Sequence, residues 1–406
     1  MRHVIIGVGA AGMTAARTIR ECDKDAEIIM ISEDEHVHSR CMLHKYLSHE
    51  RDEETLNFTA SDFFESSDVA WVKGCRVEKV IPDRRILYLD NGGQVTFDRL
   101  LIATGAQSVI PPVGDFRNAV NVFGLRDLKD AQRIDKCARG AKEILIVGSG
   151  LVGMDAAYAF LEQGKTVTVV EMAERILPLQ LDETAGKAYR ELFEAAGCRF
   201  ILGRKASETE MDESGRITSV LLDDGTKLCC DLVIVAAGVR SAVGFLEGSG
   251  IQTERSITVD SHLQTSCSGI YAAGDVAGLS GIWPNAMKQG QTAAYNMCGR
   301  TTYYVDRYAM KNTMNFYGLV TLSVGNGIAE DGDEVLIRED SKQYKKAIIR
   351  DGRLKSILLQ GDIDYSGIYQ YLIKNEVLLP EKKEVFQLDF ADFYGIMEDG
   401  QYTYAS

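Results

Sequence analysis

Residues 3–22, HVIIGVGAAGMTAARTIREC, decide the fold class. A short apolar run meets glycines at 7, 9 and 12, and Ala, Met and Ile then recur at helical spacing. That order predicts a buried strand turning directly into a helix. Gly7 permits the tight turn, Gly9 lets the backbone approach a pyrophosphate, and Gly12 allows close helix–strand packing, with Ala11 between them. The helix N-terminus attracts negative charge. AEIIMISE (26–33) reads as the next strand and ends at Glu33, placed to accept hydrogen bonds from ribose hydroxyls. The fold class expected from this βαβ unit is α/β with a parallel sheet.

The pattern returns at KEILIVGSG (142–150), LVGMDAAYAFLEQG (151–164) and KTVTVVE (165–171), giving Gly148, Gly150, Gly153 and a closing Glu171. Two Rossmann-like dinucleotide-binding domains are expected. An acidic residue at 171 favours a free 2′-hydroxyl over a 2′-phosphate, hence NADH over NADPH, and Arg175 nearby softens that preference. Two such sites suggest one tightly held redox cofactor and one exchanging hydride donor. Methyltransferases use similar glycine turns, but rarely two with this symmetry. After each unit comes a β-rich stretch: 69–106 carries the turn signal NGG and ends in ATGA, and 215–240 carries DDG and ends in AAGVR. Both read as hairpins leading into a buried strand. From about residue 302 strand-like runs at 303–327 and 345–363 and a helix candidate at 365–377 indicate a third, α+β domain.

The chain has 406 residues, 45% hydrophobic and 26% charged, a soluble globular composition. Its formal net charge of -14 argues against nucleic-acid binding. No apolar run is long enough for a membrane span, and no signal-peptide pattern precedes the first strand. Nine cysteines without a CxxC pair suggest reduced thiols, a cytoplasmic location and no dithiol relay.

The order GxGxAG, ATGA (Ala103, Thr104, Gly105), GxGxxG, AAG (Gly238) and IYAAGD (Gly274, Asp275) resembles the FAD-dependent pyridine nucleotide-disulfide oxidoreductase superfamily over residues 1–300. The resemblance implies an FAD domain at 1–111 and 240–301, an inserted NAD(H) domain at 112–239, and a C-terminal α+β interface domain at 302–406. It assigns Gly7, Gly9, Gly12, Glu33 and Asp275 to FAD and Gly148, Gly150, Gly153 and Glu171 to NADH, and it counts Ala11, Arg40, Ala103, Thr104, Gly105, Gly238 and Gly274 among the cofactor-binding residues. The third domain resembles that of rubredoxin reductases and the flavin portion of nitrite reductases.

HSRCMLHKYL (38–47) is then a flavin-facing segment. Arg40 and Lys45 match the rubredoxin and ferredoxin reductase-like branch. Cys41 stands where that branch has Pro and where coenzyme A-disulfide reductases carry a redox cysteine. Lys45 is expected to pair with Asp155 near the flavin. Cys41 at a helix start is either a nucleophilic thiolate or a small filler. The four histidines crowded here lack a second cluster, so no metal site is expected. The resulting expectation is an FAD-dependent NADH oxidoreductase serving a small iron or iron–sulfur carrier, with a homodimer possible. The alternatives are a thiol-dependent reductase or NADH oxidase using Cys41, and an electron-input subunit of a larger complex.

Overall fold

The computed structural model describes residues 1–305, 311–380 and 384–404. Parts of the expected third domain, at 306–310, 381–383 and 405–406, lie outside the described residues. The chain forms two compact units. The first takes in 1–148, 152–170 and 205–305; the second takes in 149–151, 171–204 and the described residues from 311 onward.

Two parallel sheets organise the first unit. One runs in the order Ile270–Ala272, Arg99–Ile102, Arg2–Ile6, Glu27–Ile31, Val69–Val72. Val4 pairs with Ile29 on one side and Leu100 on the other. Both faces are covered, so the strands carry near-continuous apolar runs: Val4, Ile5, Leu100, Leu101 and Ile102 are wholly buried. The second sheet includes Thr166–Glu171, Glu143–Val147, Leu232–Val235 and Val122–Gly124, again parallel. Antiparallel hairpins follow at Val77–Ile81, Ile86–Leu89 and Gln94–Thr96, with NGG at the second turn, and at Ile217–Leu222 and Lys227–Cys229, with DDG at the turn. One strand departs from the hairpin reading. Val69–Val72 joins the parallel sheet beside Glu27–Ile31, because its apolar face lands on the sheet's edge.

Helix Ala10–Cys22 packs along helix Trp283–Met297. The approach is close enough that a Cβ on Gly290 would lie 2.1 Å from the Ala11 carbonyl oxygen, so only glycine fits at the crossing. Pro284 sits in the first turn of the second helix, where its missing N–H costs nothing.

In the second unit a five-stranded antiparallel sheet has the order Lys311–Phe316, Leu319–Val324, Arg353–Gln360, Tyr344–Arg350, Glu334–Glu339. Helix Gly367–Asn375 lies within the 365–377 stretch and buries Ile368, Tyr369 and Leu372 against Ile357 and Leu359. Helix Glu183–Ala195 joins this unit through Tyr189, whose hydroxyl donates to the Leu319 carbonyl at 2.8 Å.

Candidate functional site

The first glycine turn is built as the sequence requires. Gly7 has φ of 110°, and a Cβ there would sit 2.3 Å from the Ala103 carbonyl oxygen. A Cβ on Gly12 would sit 2.0 Å from the Gly7 carbonyl oxygen. Gly9 is different: nothing lies within 4 Å of its missing Cβ, because its open side faces a cleft of about 1050 Å³. Gly9 is also the N-cap of helix Ala10–Cys22, with no side chain capping it and no acidic residue in the first turn. The free N–H groups and the positive helix end therefore point at the cleft.

Gly7, Gly9, Ala11, Glu33, Arg40, Cys41, Ala103, Thr104, Gly105, Gly274 and Asp275 all line this cleft. Gly12 and Gly238 shape backbone near it rather than its wall. Thr104 Oγ1 donates to the Ala242 carbonyl at 3.0 Å, and Gly274 N–H donates to the wholly buried Gln289 side chain at 2.7 Å. Trp283 forms part of the wall and meets Phe58 edge-on at 4.8 Å, so it serves both the cleft and the packing beneath.

Arg126 is among the cleft residues that sequence reading missed. It follows strand Val122–Gly124, at the carboxyl end of a parallel sheet, the position where such folds place ligand contacts. Its guanidinium pairs with Asp275 and donates to the Ala106 carbonyl at 3.0 Å. Its own carbonyl accepts from Arg40 at 3.0 Å, and Arg40 also reaches Asp34 at 3.3 Å. Asp275, which the resemblance assigns to FAD, is held beside a cation, so a ligand would meet an ion pair rather than a lone carboxylate.

The stretch 38–47 is a three-residue turn at Arg40–Met42 followed by a five-residue helix, Leu43–Leu47. Lys45 does not pair with Asp155. Its ammonium lies 2.8 Å from both oxygens of Glu50, and 5.5 Å from the centre of the Tyr158 ring. The chain reverses at His49, with φ of 59°, and returns Glu50 and Arg51 N–H groups to the Lys45 carbonyl, which delivers the Glu50 carboxylate to the lysine. Asp155 instead has His44 Nδ1 at 3.6 Å. Burial pushes the Asp155 carboxyl up to about 7, with the Lys45 charge opposing. Burial, then the Lys45 charge, lowers His44 to about 4, so that imidazole is neutral at pH 7.

Cys41 opens on the cleft, yet its thiol is not activated. Removal from water raises its pKa, Asp155 adds to the rise, and Arg126 only partly opposes it. Two very short helical pieces supply little dipole to reverse this. Of the two expectations for Cys41, the raised pKa favours the unactivated thiol, and Cys41→Ser should keep at least half of the NADH-linked reductase rate in a steady-state assay. The four histidines disperse. His38 Nε2 accepts from Leu128 N–H at 3.2 Å, leaving Nδ1–H to donate to the His36 carbonyl at 3.0 Å; His49 meets Asp135 at 2.7 Å, and His36 lies 3.8 Å from Glu53.

The second glycine turn repeats the first. Gly148 has φ of 104° with its missing Cβ 2.5 Å from the Ala236 carbonyl oxygen, and Gly153 backs onto the Gly148 carbonyl oxygen at 2.0 Å. Gly150 has nothing within 4 Å. Glu171 accepts from Ser149 N–H at 2.7 Å, Ser149 Oγ at 2.9 Å and Ala173 N–H at 2.9 Å. Arg175 donates to the carbonyls of Leu181 and Pro178, so its guanidinium is spent on its own loop. Of the adjacent pair in the second hairpin, Cys229 is exposed and Cys230 buried, as alternation along a strand requires.

Two open-sided glycine turns on parallel sheets, one above a large cleft, define a protein with two dinucleotide-binding folds. Residues 1–290 match the pyridine nucleotide-disulphide oxidoreductase family, and the chain belongs to it. Residues 311–377 match the rubredoxin NAD+ reductase C-terminal domain. The chain is 31% identical, over 92% of its length and 91% of the relative's, to the epsilon subunit of the NADH-dependent phenylglyoxylate dehydrogenase of Aromatoleum evansii. It is 27% identical to the nitrite reductase [NAD(P)H] of Bacillus subtilis, matching over 94% of its own length but 48% of that protein. Among solved structures, the ferredoxin reductase of the CYP199A2 system from Rhodopseudomonas palustris superposes with a TM-score of 0.84 at 25% identity, covering 93% of this chain and 95% of that one. The protein is an FAD-dependent oxidoreductase that takes its electrons from NADH. The cleft fits FAD: its walls admit no Cβ at Gly7, while Gly9 leaves room for a pyrophosphate at a helix N-terminus. No helix among the described residues is long and apolar enough to cross a membrane.

Proposed function

We propose that this chain passes electrons from NADH, through FAD, to a small iron or iron–sulfur protein. The observation that carries the reading is the full-length likeness to a ferredoxin reductase, and a cleft-facing cysteine whose pKa is raised rather than lowered agrees with it. FAD supplies the conversion of a hydride pair into single electrons. The chain's own residues bind and orient. Gly9 and the Ala10–Cys22 helix end hold the pyrophosphate, Glu33 the ribose, and the Arg126–Asp275 pair the polyol chain. Lys45, fixed by Glu50, supplies positive charge to the neighbourhood of Asp155 and favours flavin reduction. NADH belongs to the second fingerprint, Gly148, Gly150, Gly153 and Glu171. The domain division proposed is 1–111 with 240–301 for FAD, 112–239 for NADH and 302–406 for the interface, in a reducing compartment such as the cytoplasm, given nine free thiols.

The test is stopped-flow reduction by NADH, followed by mixing with rubredoxin, ferredoxin, disulfide, persulfide or oxygen. Re-oxidation at least tenfold faster with an iron or iron–sulfur protein is expected; equal or faster re-oxidation by a disulfide or persulfide overturns the reading. Because Arg175 is occupied and Glu171 presents a carboxylate, kcat/KM for NADH should exceed that for NADPH by tenfold or more. A second reading is favoured by the epsilon-subunit likeness: the acceptor is a companion subunit. Purification of the untagged protein from its source separates the two, since a stable iron–sulfur partner should then co-purify.

A further inference from the structure

A cavity of about 100 Å³ lies inside the second unit, between the turn at 175–182 and one face of the five-stranded sheet. Strand register builds its floor. Ser323 stands opposite Leu358, and Leu358 opposite Lys346, so the three form a row across neighbouring strands. All three line the cavity. Leu322, Leu359 and Ala347, next to them along the same strands, face the other way and pack into the core with helix Gly367–Asn375.

Two polar groups of this cavity are left over. Ser323 is 7% exposed, and its hydroxyl makes no hydrogen bond among the described residues. Gln180 Oε1 is buried and likewise has no hydrogen-bond partner among them. Neighbouring Ser356 differs: its Oγ donates to the Val324 carbonyl at 2.9 Å and accepts from Gly327 N–H at 3.1 Å. Lys346 spends one N–H on Asp182 at 3.2 Å, and Asp182 also accepts from the Tyr344 hydroxyl at 2.7 Å. The charged residues of the lining are Arg175, Lys346 and Asp182, two cations against one anion. A buried acceptor without a donor costs free energy, so Gln180 marks a place for a donor.

The roof is tied to the second glycine turn. Leu177 is wholly buried and left-handed, with φ of 49°, and its N–H donates to the Ser149 carbonyl at 3.0 Å. Its carbonyl accepts from the N–H groups of Gln180 and Leu181, both at 3.0 Å. Ser149 in turn holds the Glu171 carboxylate through its N–H and its Oγ. A ligand that fixes Gln180 therefore fixes the turn that positions Glu171.

We propose that this cavity binds inorganic phosphate and that its occupancy braces the NADH fingerprint. The walls define the chemistry. The excess positive charge takes an anion. Lys346 and Ser323 donate to its oxygens, while Gln180 Oε1 needs a ligand that also carries an O–H. Phosphate near neutral pH keeps a P–OH, and sulfate has none. Water satisfies the hydrogen bonds but leaves the charge unbalanced. Aromatic rings and nucleotides are too large to be enclosed, since a cavity that holds benzene has about 150 Å³.

Holoenzyme in phosphate-free buffer, with ionic strength held constant by potassium chloride, is titrated in a calorimeter with potassium phosphate and separately with potassium sulfate. Saturable binding of phosphate is expected, roughly tenfold tighter than sulfate, the scale of one lost hydrogen bond to a charged group. In steady-state assays phosphate should lower KM for NADH several-fold and leave kcat unchanged. Ser323→Ala and Gln180→Leu should each lose both effects while keeping wild-type NADH oxidation and melting temperature in phosphate-free buffer. Absence of saturable heat, equal binding of sulfate, or phosphate binding that survives in both variants would overturn the site. Binding with an unchanged KM would overturn the bracing. The bracing rests on NADH occupying the second fingerprint; the titration contains no NADH, so failure of that reading leaves the calorimetric result standing.

Discussion

Gly12→Val yields protein without visible colour. The side chain's first atom would be placed 2.0 Å from the Gly7 carbonyl oxygen and 3.3 Å from Ile5, with no flexible neighbour to yield. Relief requires helix Ala10–Cys22 to lift from strand Arg2–Ile6, which withdraws its N-terminal N–H groups from the cleft and opens the packing around Ile5, Ala15 and Ile19. Overpacking of this kind costs about 1–3 kcal/mol, and more where backbone is the obstacle. Absorbance near 450 nm after purification and FAD reconstitution should fall at least tenfold, with a melting temperature several degrees lower. Gly9→Ala is the control. Its Cβ meets no protein atom within 4 Å, so the fold and melting temperature of the apoprotein should hold while FAD binds more weakly. If Gly12→Val protein is as yellow as wild type, the first turn is not the flavin site.

The second large effect concerns charge beside residues 41–50. Lys45→Ala should slow single-turnover flavin reduction by NADH roughly ten- to a hundredfold, the usual scale for removing one fixed charge from a reacting site. Asp155 adds a pH signature. Its folded value, about 7, lies above the ordinary carboxyl value of 3.8, so between these values the native chain holds a proton that the unfolded chain has released. The associated stability is fully present below the unfolded value and is lost as pH rises through about 7. Asp155→Asn should therefore match wild type near pH 4 and exceed it above pH 8 by on the order of 2 kcal/mol, a figure reduced for partial exposure. Denaturant melts at the two pH values check this. The reduction rate of the wild type should inflect near pH 7, and that inflection should vanish in Asp155→Asn; a rate independent of both residues would remove them from the mechanism.

Backbone-determined features were legible in the sequence, and side-chain pairings much less so. Gly7, Gly12, Gly148 and Gly153 stand where close carbonyls forbid a Cβ, and that constraint is local enough to leave a readable spacing. The buried strands announced themselves by unbroken apolar runs. Val69–Val72 misled because four residues with one exposed alanine look alike in a hairpin and at a sheet edge. Lys45 misled for a related reason. Its partner is decided by the reversal at His49, and nothing in KYLSHE marks a left-handed residue. Arg126 had one usable cue, its place just beyond a parallel strand, but its partner Asp275 is 149 positions away. Cys41 was judged from an expected helix end, whereas the two short helical pieces supply little dipole and the neighbouring Asp155 carboxylate adds to the rise in its pKa.

The contact of Gly290 with the Ala11 carbonyl has a practical corollary for building hybrids of this enzyme. A donor's opening segment cannot be grafted alone. Residues 7–22 and 282–298 form one inheritance unit, and a crossover that separates them joins surfaces shaped for different neighbours. Recombination libraries should place their breakpoints outside both stretches and exchange the two together.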